Sequence, residues 1–217
     1  MEREILLVVV SGIVAYLIGS ISFASIFSHF IKHDDVRNYG SGNAGATNMF
    51  RTYGPKLGIL TFLCDGIKGA GAVLIAKLIG GLWGMYIGAI LVVIGHNWPI
   101  FFRFKGGKGV AATLGAVLVL VPVEAAICGG IAIILIAITK VVSACSLIGV
   151  TLLLIVTFVF RWGQWGIIGA VVILTAMIVF QHRSNIVRLI NKTESTLDAP
   201  AKKIKKDEET QSGNSQG

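Results

Sequence analysis

Charge is what this sequence has least of. Only 14% of its 217 residues are Asp, Glu, Lys or Arg, where a soluble domain carries about a quarter. Proline is scarce too, with four residues against 27 glycines. The deficit argues against a soluble globular enzyme, a disordered chain and a nucleic-acid-binding domain. Cysteine offers no framework: Cys64, Cys128 and Cys145 lie scattered in apolar stretches with no CxxC pair. That argues against a disulfide scaffold or a zinc site and leaves three small buried hydrophobes. The first apolar run lacks the basic start of a secretory leader, because Glu2 and Glu4 flank Arg3. It reads as a first membrane span.

What is present is apolar: 54% of the residues are hydrophobic and the mean hydropathy is +0.80. A membrane span needs roughly 20 apolar residues. Seven apolar segments are expected, at 5–27, 57–79, 82–100, 110–121, 123–139, 147–160 and 165–180, three of them short. The stretch 110–139 is too long for one untilted helix, and Pro122 with Glu124 near its middle suggests a turn. Charge parity bears on that choice. If 110–139 forms two passes or a re-entrant hairpin, the segments 28–56, 101–109, 140–146 and 181–217 share one side and hold 15 of the 19 Lys and Arg residues. The positive-inside rule then places the N-terminus outside and the C-terminus in the cytoplasm. The expectation is an all-α integral membrane protein of about seven transmembrane helices: a membrane domain over 1–191, then a disordered charged cytoplasmic tail over 192–217.

The net charge of +8 belongs wholly to the apolar body, since the tail from Lys192 onward holds five Lys and five acids. Within the body, polar residues gather in three islands on the basic side. The first is Gly40-Ser41-Gly42-Asn43-Ala44-Gly45-Ala46-Thr47-Asn48, closed by Arg51. Glycines let a backbone approach a ligand and expose N–H groups to an anion. Ser41, Asn43, Thr47 and Asn48 add neutral donors, and Arg51 suits phosphate. The Gly40-x-Gly42-x-x-Gly45 spacing matches a dinucleotide fingerprint, but that motif needs a preceding strand and a βαβ unit. The second island is His96-Asn97-Trp98-Pro99 with Phe104-Lys105-Gly106-Gly107-Lys108-Gly109. Lysines among glycines suit a phosphate ester, and the spacing is not that of a Walker A loop. The third is Gln181-His182-Arg183-Ser184-Asn185, with Arg188 and Glu194 beyond; His182 and Asn185 share a helical face. Asp65 and Lys68, three apart within the second segment, can pair, and ionisable residues at that depth are costly.

At these residues the chain resembles a known family, the bacterial acyl-phosphate:glycerol-3-phosphate acyltransferases (PlsY). The matching runs are Gly19-Ser20-Ile21, GSGNAGATN with Arg51, Asp65 to Gly69, GHNWP with FKGGKGVAAT, and His182, Arg183, Asn185 and Ile186 leading to Glu194. Trp98 stands where phenylalanine is common, and Ser22 where proline is common. The resemblance implies transfer of a fatty acyl group from acyl phosphate to the 1-hydroxyl of glycerol 3-phosphate. The products are lysophosphatidic acid and phosphate. It also implies a site on the cytoplasmic face of the cell membrane, no metal or other cofactor, and a peripheral partner that makes acyl phosphate from acyl-carrier protein. Carried over residue by residue, it makes Ser41, Arg51, His182 and Asn185 catalytic. Asn43, Thr47, Asn48, Lys105, Gly106, Gly107, Lys108 and Gly109 become substrate-binding. Glu194 is structural, as are Asp65 and Lys68 by the residues' own reading.

The chemistry fits those residue types. Acyl phosphate is a mixed anhydride with a good leaving group, so positioning and charge stabilisation are the main tasks. Lys108, the 106–109 backbone and Arg51 are expected to share two phosphates, and His182 to hold or deprotonate the attacking hydroxyl, with the substrate's own phosphate as the competing base. A Ser41 nucleophile is a rival. His29 and Asp34 match the H-x4-D spacing of a different class of glycerolipid acyltransferases on two residues only. Two non-enzymatic readings stand beside these, a small transporter and a membrane scaffold; a transporter should set polar groups near the midplane and on both faces.

Overall fold

The computed structural model describes residues 1–204. Among the described residues nine α-helices follow in order: α1 (Glu2–Gly19), α2 (Phe23–Lys32), α3 (Ala46–Tyr53), α4 (Pro55–Asn97), α5 (Val110–Leu120), α6 (Pro122–Thr139), α7 (Val142–Phe160), α8 (Trp165–Gln181) and α9 (Arg183–Ile190). Each of the seven apolar segments is helical, and the sequence chemistry explains where each helix stops.

The first segment is broken at Ser20–Ser22, where the Ser22 hydroxyl accepts the Ser25 N–H at 3.3 Å and so caps α2. The second and third are two halves of α4, which turns back on itself at Gly80 and Gly81. Gly81 sits at φ +61°, a left-handed conformation that glycine adopts without cost. The antiparallel halves touch: a Cβ at Gly88 would fall on Ala76. Val121 and Pro122 separate α5 from α6, and the proline occupies the first position of α6, where its missing N–H costs nothing. α7 starts at Val142, five residues before the expected boundary.

Small residues set the packing. A side chain at Gly19 would strike the Val92 backbone and one at Gly95 the Tyr16 carbonyl, so α1 lies close against the second half of α4. Gly69 meets Ala112 and Gly115 meets Gly66, joining the first half of α4 to α5. Close backbone approach at small residues is how helices associate in a membrane. The buried core runs through Ala72, Val92, Ala112, Val117, Leu153, Val171 and Leu174. Large apolar side chains face outward instead, among them Ile67, Leu78, Ile138 and Phe160, each more than 70% exposed. Four helical stretches are long and apolar enough to cross a membrane, or five if α8 and α9, bent by 59°, count as one. α5, with 11 residues, rises only about 16 Å, well short of a bilayer core.

The two ends of the bundle differ. One holds the Gly80–Gly81 turn, the start of α8 and a bidentate ion pair from Arg161 to Glu124 at 2.6 and 3.1 Å. Trp83, Tyr86, Trp162 and Trp165 gather there edge to edge, the aromatic belt of a membrane interface. The other end gathers all three polar islands. The tail expectation divides. Residues 192–204 are not loose: the Gly40 N–H donates to the Lys202 carbonyl at 2.9 Å, the Leu197 N–H to Lys140 at 2.7 Å and the Ile204 N–H to Asn38 at 2.8 Å. These backbone bonds make the segment a strap over the first island rather than part of a disordered tail. The remainder, 205–217, lies outside the described residues.

Candidate functional site

A cavity of about 340 Å³ opens among the three islands. Its polar wall carries Ser41, Asn43, Thr47, Asn48, Arg51, Lys108, Gly109, His182, Asn185 and Glu194, segments far apart in sequence. Its apolar wall is Phe62, Val110, Ile133 and Ile136. The same four residues line a second, apolar cavity that continues between α5, α6 and α7 past Val117, Cys128, Gly149 and Leu153.

The first island is shaped by Asn48. Buried at the start of α3, its Nδ2 donates to the carbonyls of Val36, Tyr39 and Asn43 at 3.0, 2.9 and 3.1 Å. Its Oδ1 accepts the Ser41 N–H at 3.2 Å. Both its N–H donors are thereby committed, and they hold the loop. Gly40 and Gly42 sit at φ +56° and +70°, the turn that only glycine makes freely. Asn43 donates back to the Ser41 carbonyl at 3.1 Å. Arg51 donates from Nε to the Thr196 carbonyl at 2.9 Å and from Nη2 to the Ser195 carbonyl at 2.7 Å, so carbonyls of the strap aim its guanidinium.

The third island is a relay. Glu194 accepts from Asn185 Nδ2 at 2.7 Å, Arg188 Nε at 2.7 Å and Ser143 Oγ at 3.0 Å. Burial pushes this carboxyl up, but the hydrogen bonds from Asn185, Arg188 and Ser143 outweigh it and hold it below its ordinary value. Asn185, fixed by Glu194, turns its Oδ1 to Lys108 Nζ. Burial, with Arg188 and Arg51 nearby, lowers the Lys108 ammonium to about 8, against the pull of Glu194. His182 Nδ1 donates to the Ile178 carbonyl at 2.8 Å, which leaves Nε2 as a free acceptor. Burial and the Lys108 charge depress this imidazole to about 4, so it is neutral at physiological pH.

These two shifts predict the pH profile of kcat/KM. Lys108 is a cation below about pH 8, so activity should fall as pH rises through that value. His182 stays neutral down to about 4, so its protonation should cause no loss between pH 5 and 7. In Lys108→Arg the alkaline limb should vanish, because a guanidinium keeps its proton. An unchanged limb in that variant would assign it to another group.

Some expected residues fall elsewhere. Lys105 is exposed and does not line the cavity; the positive-φ turn at Arg103 and Phe104 carries it outward. Gly106 and Gly107 lie behind the cavity wall, where the Gly107 N–H donates to the His96 carbonyl at 3.2 Å. His29 is exposed, and Asp34 accepts from the Tyr39 hydroxyl at 2.7 Å; neither lines the cavity. Among the lining residues that went unread in the sequence are Ser143, Ser146 and Leu197. Ser143 and Ser146 looked like loop residues before α7, yet their i, i+3 spacing at a helix start was a usable signal. Leu197 sat in a segment read as disordered.

An outward apolar belt around a cavity walled on one side by Arg51 and Lys108 is the build of a multi-pass membrane protein with a cationic site. The chain belongs to the glycerol-3-phosphate acyltransferase family, whose model matches residues 9–192. Relatives carrying that name include one from Thermoanaerobacter sp. (strain X514), 44% identical over 87% of this chain and 95% of its own. Another, from Clostridioides difficile (strain 630), is 43% identical over 88% and 96%. Among solved structures, crystals of PlsY, an integral membrane glycerol 3-phosphate acyltransferase, align well. Its glycerol 3-phosphate form has a TM-score of 0.81 at 35% identity, and its lysophosphatidic acid form 0.79 at 34%. Each covers 87% of this chain and 94% of that one.

Proposed function

We propose that this chain transfers a fatty acyl group from acyl phosphate to the 1-hydroxyl of glycerol 3-phosphate, releasing phosphate and forming lysophosphatidic acid. The observation that carries the reading is the two-sided cavity. A cationic, donor-rich wall meets an apolar one that continues into an apolar cavity between α5, α6 and α7. That suits an acyl phosphate, whose tail stays among apolar side chains while its phosphate reaches Lys108, Arg51 and the start of α5. The relatives' shared name, and the two ligand forms of the aligned PlsY structures, support the acceptor and the product.

In this mechanism Lys108 and Arg51 hold the phosphates and neutralise the leaving group. Ser41 and Thr47 orient the acyl phosphate. The hydroxyl oxygen of glycerol 3-phosphate attacks the carbonyl carbon, a C–O bond forms, and the bond from that carbon to the phosphate oxygen breaks with its electron pair leaving on phosphate. His182 Nε2 accepts a hydrogen bond from the attacking hydroxyl and orients it. The proton passes to a phosphate oxygen, which at a pKa of about 6 is a stronger base than this depressed imidazole, and Asn185 keeps Lys108 in place. No covalent acyl-enzyme is needed.

All three islands then lie on the cytoplasmic face, with about seven apolar helices, α5 and α6 crossing twice or forming a re-entrant hairpin, and the N-terminus outside. The basic loops favour that orientation. Acyl phosphate would arrive from the peripheral acyltransferase that acts on acyl-carrier protein. The test is direct: protein purified in detergent, given acyl phosphate and glycerol 3-phosphate, should form lysophosphatidate and phosphate in equal amounts. No product beside an active control would overturn the reading. Stable label on the protein from radiolabelled acyl phosphate would replace it with a Ser41 nucleophile.

A further inference from the structure

We propose that Asp65 and His96 are a positioning pair that holds the Gly106–Gly109 loop, and so Lys108, in register; the inference rests on reading that loop as a phosphate site. Asp65 is 1% exposed and His96 6%, yet both border the cavity. The Asp65 carboxylate Oδ1 lies 3.0 Å from Lys68 Nζ and 3.6 Å from His96 Nδ1. Lys68 in turn donates to the Ile21 carbonyl at 2.6 Å, in the break between α1 and α2. The carboxylate thus faces the Nδ1 side of the His96 ring at ion-pair range, while Nε2 turns toward the loop at Gly107.

The loop is moulded on the last two residues of α4. A Cβ at Gly106 would fall on the His96 carbonyl, and one at Gly107 on His96 Nε2. One at Gly109 would come within 2.8 Å of Asn97 Oδ1. The Gly107 N–H donates to the His96 carbonyl, and the Ala44 N–H donates to the Gly106 carbonyl, each at 3.2 Å. Every glycine of the loop therefore faces His96 or Asn97, and the first island is tied to the same unit. Lys108, the one member with a side chain, is left to face the cavity. A rotation of the imidazole would shift Gly107 and with it the neighbouring Lys108. Asp65 and His96 act through the loop and touch no reacting atom.

A buried ion pair with no such role is replaceable by apolar groups at little cost in stability and none in binding. The test uses the full chain in detergent. Asp65→Asn combined with Lys68→Met removes the carboxylate without stranding a buried cation, and His96→Gln removes the ring. Each is measured for KM toward both substrates, for kcat, and for its thermal shift on adding glycerol 3-phosphate. The pair predicts a rise of about tenfold or more in KM for glycerol 3-phosphate, with a matching loss of the ligand-induced shift. The unliganded midpoint of His96→Gln should change little. Unchanged KM with only a lower midpoint would show a purely structural ion pair and overturn the proposal. A fall in kcat with KM and the ligand-induced shift both unchanged would overturn it too, because a displaced Lys108 must loosen glycerol 3-phosphate as well as the leaving group. Inactive wild-type protein would instead refute the functional reading, and the thermal shift then still decides whether the pair shapes a phosphate site.

Discussion

Replacing Lys108 by methionine should lower kcat/KM by about a hundred- to a thousandfold while leaving the fold intact. The magnitude is that of removing one preorganised donor from a developing anion in a site sheltered from water. Lys108 is singled out by how its neighbours are engaged. Arg51 is aimed by the carbonyls of Ser195 and Thr196, and Arg188 is paired with Glu194 at 2.7 Å. Among the described residues Lys108 has no carboxylate partner, only the neutral Asn185 amide oxygen. Its half-buried ammonium is already under desolvation strain, which lowers it to about 8. A bound phosphate relieves that strain, and methionine removes it without adding an anion's worth of affinity. The variant should therefore keep or slightly raise its thermal midpoint. Lys108→Arg should keep part of the activity, since the charge survives but a planar fork replaces a point charge. Turnover of the methionine variant within fivefold of wild type would remove Lys108 from the phosphate's ligands.

How much of this could be read from residues alone differs between fold and site. Hydropathy located all seven apolar helices because each must satisfy its backbone internally among apolar side chains, and the run lengths reflect that. Pro122 marked one turn by backbone chemistry, and the hydropathy bounds at 79 and 82 left Gly80-Gly81 between two segments. The break at Ser20–Ser22 was not legible, because serine also fits inside a membrane helix; only the cap onto Ser25 reveals it. α7 began earlier than expected because Ser143 and Ser146 dilute the apolar signal, although both face the cavity.

Within the site, the three islands were legible as donor-rich stretches, but their internal division of labour was not. Asn48 looks like any other donor in the first island, and only its bonds to Val36, Tyr39 and Asn43 show that the loop consumes it. Lys105 and Lys108 are equivalent by composition; the left-handed residues Arg103 and Phe104 send one outward, and Asn185 meets the other. The strap was missed for a deeper reason. Residues 192–204 are held by main-chain hydrogen bonds to Asn38, Gly40, Arg51 and Lys140, and composition says nothing about where a backbone donor will find its acceptor.

Glu194 carries the last large effect, because one carboxylate organises donors from three places. Its side chain is 5% exposed and accepts from Ser143, Asn185 and Arg188. Glu194→Ala leaves the buried Asn185 amide without a partner, a cost of about 1–3 kcal/mol, and its midpoint should fall accordingly. Asn185 is then free to turn away from Lys108, so kcat/KM should drop by about ten- to a hundredfold. The pH dependence of stability separates this from nonspecific damage. The folded carboxyl titrates below its ordinary 4.5, so the folded state binds fewer protons than the unfolded chain. Its contribution is complete above about pH 4.5 and is lost as pH falls through the lower folded value. Glu194→Gln should lose that acid-dependent component while keeping an acceptor for Asn185, and so should hold more activity than Glu194→Ala. A double-mutant cycle with Asn185→Ala completes the argument. If Glu194 acts through Asn185, the two losses should overlap, with a coupling of about 1–3 kcal/mol in the activation free energy. Simple additivity would mean that Glu194 reaches the site by another route, through Arg188 or Ser143.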